Sequence, residues 1–140
     1  MMIFGDQKKM NEAVERAREV RENAYSPYSN FRVGAAIVSE ITGRIYSGCN
    51  VENASFGATI CAERNAVLQA IAAEGTGAFS LLVVYTEVEE AVPPCALCLQ
   101  VLSEFCSPDM PVLLCGRQGI RRQFRFRDLL PYPFSSVPSR

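Results

Sequence analysis

Cys95 and Cys98 stand three residues apart behind Pro93-Pro94, and a third cysteine, Cys61, lies upstream in "ICAERNAV" with Glu63 two residues on. The chain has no histidine, so thiolates and carboxylates are the side chains on which a metal site here must draw. A C-x-x-C at a helix start also suits disulfide exchange, because the helix end lowers a thiol pKa. The surroundings oppose that reading. A thioredoxin-like pair follows the first strand of a βαβ unit, whereas this pair opens the third predicted helix, and Cys61 opens the second in the same way. Two converging helix starts bring three thiolates together, the ligand number of a catalytic zinc site whose fourth position is open to water. A closed structural site needs a fourth ligand, and no histidine exists to supply it. Three thiolates around zinc leave a net negative cluster, which positive helix ends and a nearby cation, Arg64, would offset. Glu63, two residues past a ligand, is placed to shuttle the proton of a water in the open position.

Those side chains need a scaffold. Met10, Ala13, Val14, Ala17, Val20 and Ala24 recur at three and four, which predicts an amphipathic helix over 6–24 ended by Ser26-Pro27. "FRVGAAIVS" alternates Phe31, Val33, Ala35 and Ile37 on one face, and "EITG" turns it into a second strand, "RIYSGCN". "ICAERNAVLQAIAAEG" is the second helix, closed at Gly75. The apolar run "SLLVVYT" predicts a strand covered on both faces, and prolines open a third helix, "CALCLQVLSEFC". "PVLLCG" is a further buried strand, and "QFRFR" a short edge strand with Phe124 and Phe126 on one side and Arg125 and Arg127 on the other. This order predicts an α/β fold, a three-layer α/β/α sandwich around a mixed five-stranded sheet, with residues 1–140 as one domain. Cys49, Cys106 and Cys115 fall in apolar stretches and read as small buried hydrophobes.

Composition narrows the partners. A chain of 140 residues, 49% hydrophobic and 21% charged, is an ordinary globular mixture with apolar mass for one core. Its net charge of −1 exerts little long-range pull on phosphate backbones, and the alternating arginines near residue 125 are explained by a strand face, so no nucleic-acid partner is expected. No stretch approaches the roughly 18 apolar residues of a membrane span. "MMIFGDQKKM" reaches acid and lysine before a signal-length apolar run develops, so the expected location is the cytoplasm, with thiols reduced or metal-bound.

"CAE" at 61–63 followed by "PCALC" at 94–98 resembles the C-x-E plus P-C-x-x-C signature of zinc-dependent nucleoside deaminases. The likeness continues through "AYSPYSNFRVGAA", "GCNVENASFGATICAERNAV", "PPCALCLQVLSEFC" and "LLPYPF", nearly the whole chain in order. The sequence is similar to the cytidine deaminases of the small, three-cysteine type. That resemblance implies Zn2+ held by Cys61, Cys95 and Cys98, with Glu63 taking a proton from water, passing it to N3 of the cytosine and then delivering one to the departing amine. Uridine and ammonia result, a step of pyrimidine salvage. It further implies that Asn50 and Glu52 bind the ribose 3′-hydroxyl, that Phe31 lines the pyrimidine pocket and that the Ala62 backbone meets the base edge. A site that grips the 3′-hydroxyl need not sense the 2′-hydroxyl, so both cytidine and deoxycytidine are expected substrates. Family members are homotetramers with shared pockets, and Phe134 matches the residue that enters a neighbour's site.

Taken alone, Phe31 reads as core, Asn50 and Glu52 as turn residues, Arg64 as a solvated helix residue and Phe134 as a tail anchor. One departure stands out: where the family commonly has P-C-G-A-C-R-Q, this chain has "PCALCLQ", with Leu99 in place of an arginine that helps neutralise the thiolates. Three other readings compete. They are a deaminase of another aminopyrimidine nucleoside such as blasticidin S, a catalytically silent zinc-binding homologue, and a thiol oxidoreductase using Cys95 and Cys98.

Overall fold

Helix α1 (Gln7–Arg21) starts where Asp6 accepts a hydrogen bond from the Lys9 N–H at 3.0 Å, an aspartate N-cap. Its predicted stripe is real, with Met10, Ala13 and Ala17 buried. The helix ends three residues short of Ala24, because the Tyr25 N–H bonds the Asn50 carbonyl and turns the chain toward the sheet.

The computed structural model describes residues 5–138. Strands β1 (Gly34–Ser39) and β2 (Ile45–Cys49) form the predicted hairpin, followed by α2 (Ala62–Glu74), β3 (Phe79–Tyr85), α3 (Ala96–Ser103), β4 (Pro111–Gly116), β5 (Gly119–Arg125) and a short α4 (Phe126–Leu129). The sheet order is β2-β1-β3-β4-β5, with β3 and β4 parallel and the other neighbours antiparallel. It is the mixed five-stranded sheet that the sequence predicts.

Period-two alternation sorts the strand residues between two cores. Ala36, Val38, Leu81, Val83, Tyr85, Leu113 and Cys115 face α1, whereas Ala35, Ile37, Leu82, Val84, Val112 and Leu114 face residues of α2 and α3. The result is an α/β/α sandwich. On the α2 side, Gly48 permits close approach: a Cβ there would lie 2.4 Å from the Ala66 backbone nitrogen. Asn65 Nδ2 bonds the Cys49 carbonyl at 2.9 Å beside it. At the far end of α2, Glu74 accepts hydrogen bonds from the hydroxyls of Ser39, Thr42 and Tyr46 at 2.7–2.8 Å, fastening the helix to the β1–β2 hairpin.

Boundaries of β1, α3 and β5 also differ from the expected ones. β1 begins at Gly34 rather than Phe31, because the Asn50 side chain takes the place of a strand neighbour: it donates to the Phe31 carbonyl at 2.8 Å and accepts from the Val33 N–H at 2.9 Å. α3 stops at Ser103, and the Phe105 carbonyl leaves the helix to accept the Phe79 N–H. β5 is displaced toward the amino terminus because Gly119, at φ 102°, closes a tight turn directly after β4. Its other end stops before Phe126. There Asp128 accepts the Arg125 N–H at 2.9 Å, α4 begins, and Phe126 is buried rather than alternating on an edge strand with Phe124.

Candidate active site

Cys61 and Cys95 are the N-cap residues of α2 and α3, both in extended backbone, and Cys98 sits in the first turn of α3. Their sulfurs meet. Cys61 Sγ lies 3.9 Å from Cys95 Sγ, Cys95 Sγ lies 3.6 Å from Cys98 Sγ, and all three lie within 4.8 Å of one another. Tetrahedral zinc with Zn–S bonds of about 2.3 Å requires S···S edges of about 3.8 Å. The three thiols are free rather than disulfide-bonded, and their spacing and donor chemistry fit zinc. Among the described residues they form the one cluster of three or more cysteine, aspartate or glutamate side chains able to hold a metal ion.

The sulfurs also shape one another's protonation. The hydrogen bond from Cys98, aided by Arg64, pulls Cys61 down to about 5 despite burial, and the same bond, with burial and the charge of Glu63, drives Cys98 upward. Cys61 is therefore ready as a thiolate at neutral pH, and metal uptake displaces a proton from Cys98. Arg64 donates through Nη2 to Cys61 Sγ at 3.5 Å and to the Thr59 carbonyl at 3.2 Å, as its place beside Glu63 suggested.

Glu63, in the first turn of α2, is 5% exposed. Burial, reinforced by the charge of Cys61, pushes its carboxyl up to about 7, so it exchanges a proton readily near neutrality. It lines a cavity of about 290 Å³ together with Cys61, Cys95, Ala62, Phe31, Asn50 and Glu52. Seven of the residues singled out in the sequence thus line one cavity, and Cys98 and Arg64 lie outside the lining, next to Cys95 and Cys61.

Asn50 and Glu52 are each fixed by hydrogen bonds to the backbone. Glu52 accepts the N–H groups of Tyr28 and Ser29, each at 3.0 Å, and the Ser29 hydroxyl. The Ser29 hydroxyl, with the two backbone N–H groups, holds the Glu52 carboxyl below its ordinary value, so it remains an ionised acceptor. Asn50 is buried and already clamps residues 31–33, leaving one amide hydrogen and one oxygen lone pair for a ligand.

Ser29, Val33, Thr59, Val84, Val92 and Pro93 complete the lining, and the sequence reading assigned none of them to a site. Val92 and Pro93 directly precede the "PCALC" ligand run, and that adjacency was the available signal. Phe134 does not line its own chain's cavity: its carbonyl accepts a hydrogen bond from Gln100 Nε2 at 2.8 Å, and the residue is 63% exposed.

Leu99 packs in the core cluster at 7% exposure and is an apolar anchor for α3. Residues 95 and 99 are neighbours on one helical face. Leu99→Arg should therefore slow zinc loss to a competing chelator about tenfold, by adding a cation beside the thiolates. The same change should lower the thermal midpoint by about 5 °C, since a guanidinium enters an apolar cluster. Chelator-exchange kinetics and thermal unfolding of the variant read the two effects separately.

An α/β/α sandwich with three clustered thiols suited to zinc, and a buried carboxyl in the cavity that two of them line, has the parts of a metal-dependent hydrolytic enzyme. The family model described as the cytidine and deoxycytidylate deaminase zinc-binding region matches residues 7–114, and the chain belongs to that family. The cytidine deaminase of Sporosarcina psychrophila is 43% identical over 122 residues, covering 87% of this chain and 88% of that protein. The cytidine deaminase of Halalkalibacterium halodurans is 40% identical over 123 residues, 88% and 92% of the two chains. The crystal structure of cytidine deaminase from Burkholderia pseudomallei superposes with a TM-score of 0.82 at 43% identity, covering 89% of this chain and 98% of that one.

Proposed function

We propose that this protein is a zinc-dependent cytidine deaminase that hydrolyses cytidine and deoxycytidine to uridine and deoxyuridine, releasing ammonia. The observation that carries the reading is one cavity of about 290 Å³ lined by Glu63, by Cys61 and Cys95 of the three-thiol cluster, and by Asn50 and Glu52. Cys61, Cys95 and Cys98 would hold the zinc ion, which when bound would supply the Lewis acidity that makes water a nucleophile at neutral pH. Glu63 takes one proton of the attacking water and places it on N3 of the base as C4 is attacked, then takes the proton of the new C4 hydroxyl and delivers it to the amine, which leaves as ammonia as C4 becomes a carbonyl. Burial supports both roles, because a carboxyl held near 7 gives and accepts a proton with similar ease.

Phe31 packs against the pyrimidine and the Ala62 backbone meets its edge, while Asn50 and Glu52 hold the ribose 3′-hydroxyl in a fixed orientation. Positioning by residues already locked by their own hydrogen bonds adds proximity without further ordering. Arg64 acts behind the sulfurs, as a cation that offsets thiolate charge. A uridine product suits pyrimidine salvage, and free rather than disulfide-bonded cysteines suit the reducing cytoplasm.

The assembly that suits this site is a homotetramer with shared pockets. Leu97 and Phe134, at 65% and 63% exposure, leave apolar surface uncovered on and beside α3, and Phe56 on the segment before α2 does the same at 77%. Phe134 then enters a neighbour's cavity rather than its own.

Ammonia release from cytidine, deoxycytidine, cytosine and blasticidin S by the zinc-loaded protein tests the reading, with light scattering to count chains. The expected result is turnover of the first two nucleosides by a tetramer carrying one zinc per chain. Turnover of blasticidin S alone, or zinc without any turnover, would replace it.

A further inference from the structure

The geometry points to Arg121 as a positioning residue that sets one wall of the active-site cavity from the far side of the sheet's edge. Residues 86–95 join β3 to α3 without regular structure, and they deliver Val92, Pro93 and Cys95 to the cavity. Such a stretch depends on whatever satisfies its backbone. At its start, the Thr86 N–H bonds the Cys115 carbonyl at 3.1 Å. Glu87 accepts hydrogen bonds from Tyr85 and Arg117 at 3.1 and 3.2 Å and pairs with Arg21 at 3.2 Å. Beyond that point, among the described residues, the main-chain hydrogen bonds of residues 88–93 are the two that Arg121 makes. Its Nη1 donates to the carbonyl of Val88 and, at 3.1 Å, to that of Glu90, two residues before Val92.

Two independent features deliver the guanidinium there. Opposite β4, Leu114 pairs with Arg122 and Cys115 with Ile120, so Arg121 is the extra residue of a β-bulge, a device that re-aims a side chain. The guanidinium then lies against Gly116, where a Cβ would stand 2.1 Å from Nη2 and 2.3 Å from Cζ. The bulge, the glycine and the two carbonyls form one device linking β5 to the loop. An ionised donor makes both hydrogen bonds stronger than neutral ones. Arg121 lies outside the cavity lining and acts through Val92 and Pro93.

The kinetic half of this inference rests on cytidine being the substrate, whereas the loop half does not. The test uses the zinc-loaded full chain as wild type, Arg121→Met, Arg121→Lys and Gly116→Ala. The last retains the arginine but displaces its guanidinium. A glutamate-specific protease reads the exposed loop tip at Glu89 and Glu90, and steady-state kinetics with cytidine separates KM from kcat. Arg121→Met and Gly116→Ala are expected to be cut about tenfold faster, and to show KM raised about fivefold with kcat little changed, when charge-assisted bonds to the loop are lost. Zinc content should stay the same, and Arg121→Lys should restore most of both effects. Wild-type cleavage rates in Arg121→Met overturn the inference. So does faster cleavage with unchanged KM, or changes that merely follow a lowered thermal midpoint and are not recovered by lysine. If the wild-type chain fails to deaminate cytidine, the cleavage rates still decide whether Arg121 holds the loop.

Discussion

Glu63→Gln is expected to lower kcat for cytidine by about 10³-fold while leaving one zinc per chain and a nearly unchanged KM. Glutamine keeps the shape of the buried side chain and removes the site that takes up a proton. Glu63 is 5% exposed and its carboxyl is pushed up to about 7 by burial, so a neutral amide fits the same environment at least as well. The thermal midpoint should accordingly hold or rise. This combination separates chemistry from folding, because a damaged fold would lose zinc and stability along with rate. A variant that keeps more than about a tenth of the wild-type kcat removes Glu63 from the proton transfers.

The second large effect is expected from Cys98→Ala, which should abolish stoichiometric zinc and reduce deamination to background. Cys98 is fully buried, with its sulfur 3.6 Å from that of Cys95, and no fourth cysteine or any histidine stands by to replace it. Removing a direct ligand should weaken zinc binding by more than the roughly 100-fold typical of losing an outer partner. The diagnostic measurement is the thermal midpoint with and without added zinc. The wild type should gain stability from the ion by mass action, and the variant should not respond. Full zinc content in Cys98→Ala would mean that the thiolate cluster is not the metal site.

The ligands were legible because sulfur at helix starts is a chemical signal that survives without coordinates: Cys61 and the Cys95–Cys98 pair open helices in both sequence and structure. β4 was legible over its whole length, since an unbroken apolar run bounded by Pro111 and Gly116 has few alternatives as a buried strand. The misplaced boundaries trace to single side chains that compete with regular pairing. The Asn50 amide occupies residues 31–33, and Asp128 starts a helix where alternation predicted continued strand. Ser29, Thr59, Val92 and Pro93 reach the cavity on irregular segments, and neither period-two nor helical spacing encodes where such segments go. The bulge that frees Arg121 has the same origin, a register shift that only the paired strands define.

Glu74, with its three hydroxyl partners, gives the metal centre a stiff side and a soft side. Helix α2 spans 13 residues, about 20 Å, and is bolted to the hairpin at one end and pressed against β2 near the other. Cys61 therefore rides on a strut that cannot pivot. Cys95 instead follows a loop whose tip hangs on one arginine. A cation of different radius would be accommodated by travel of Cys95 and Cys98, with Cys61 as the fixed reference point.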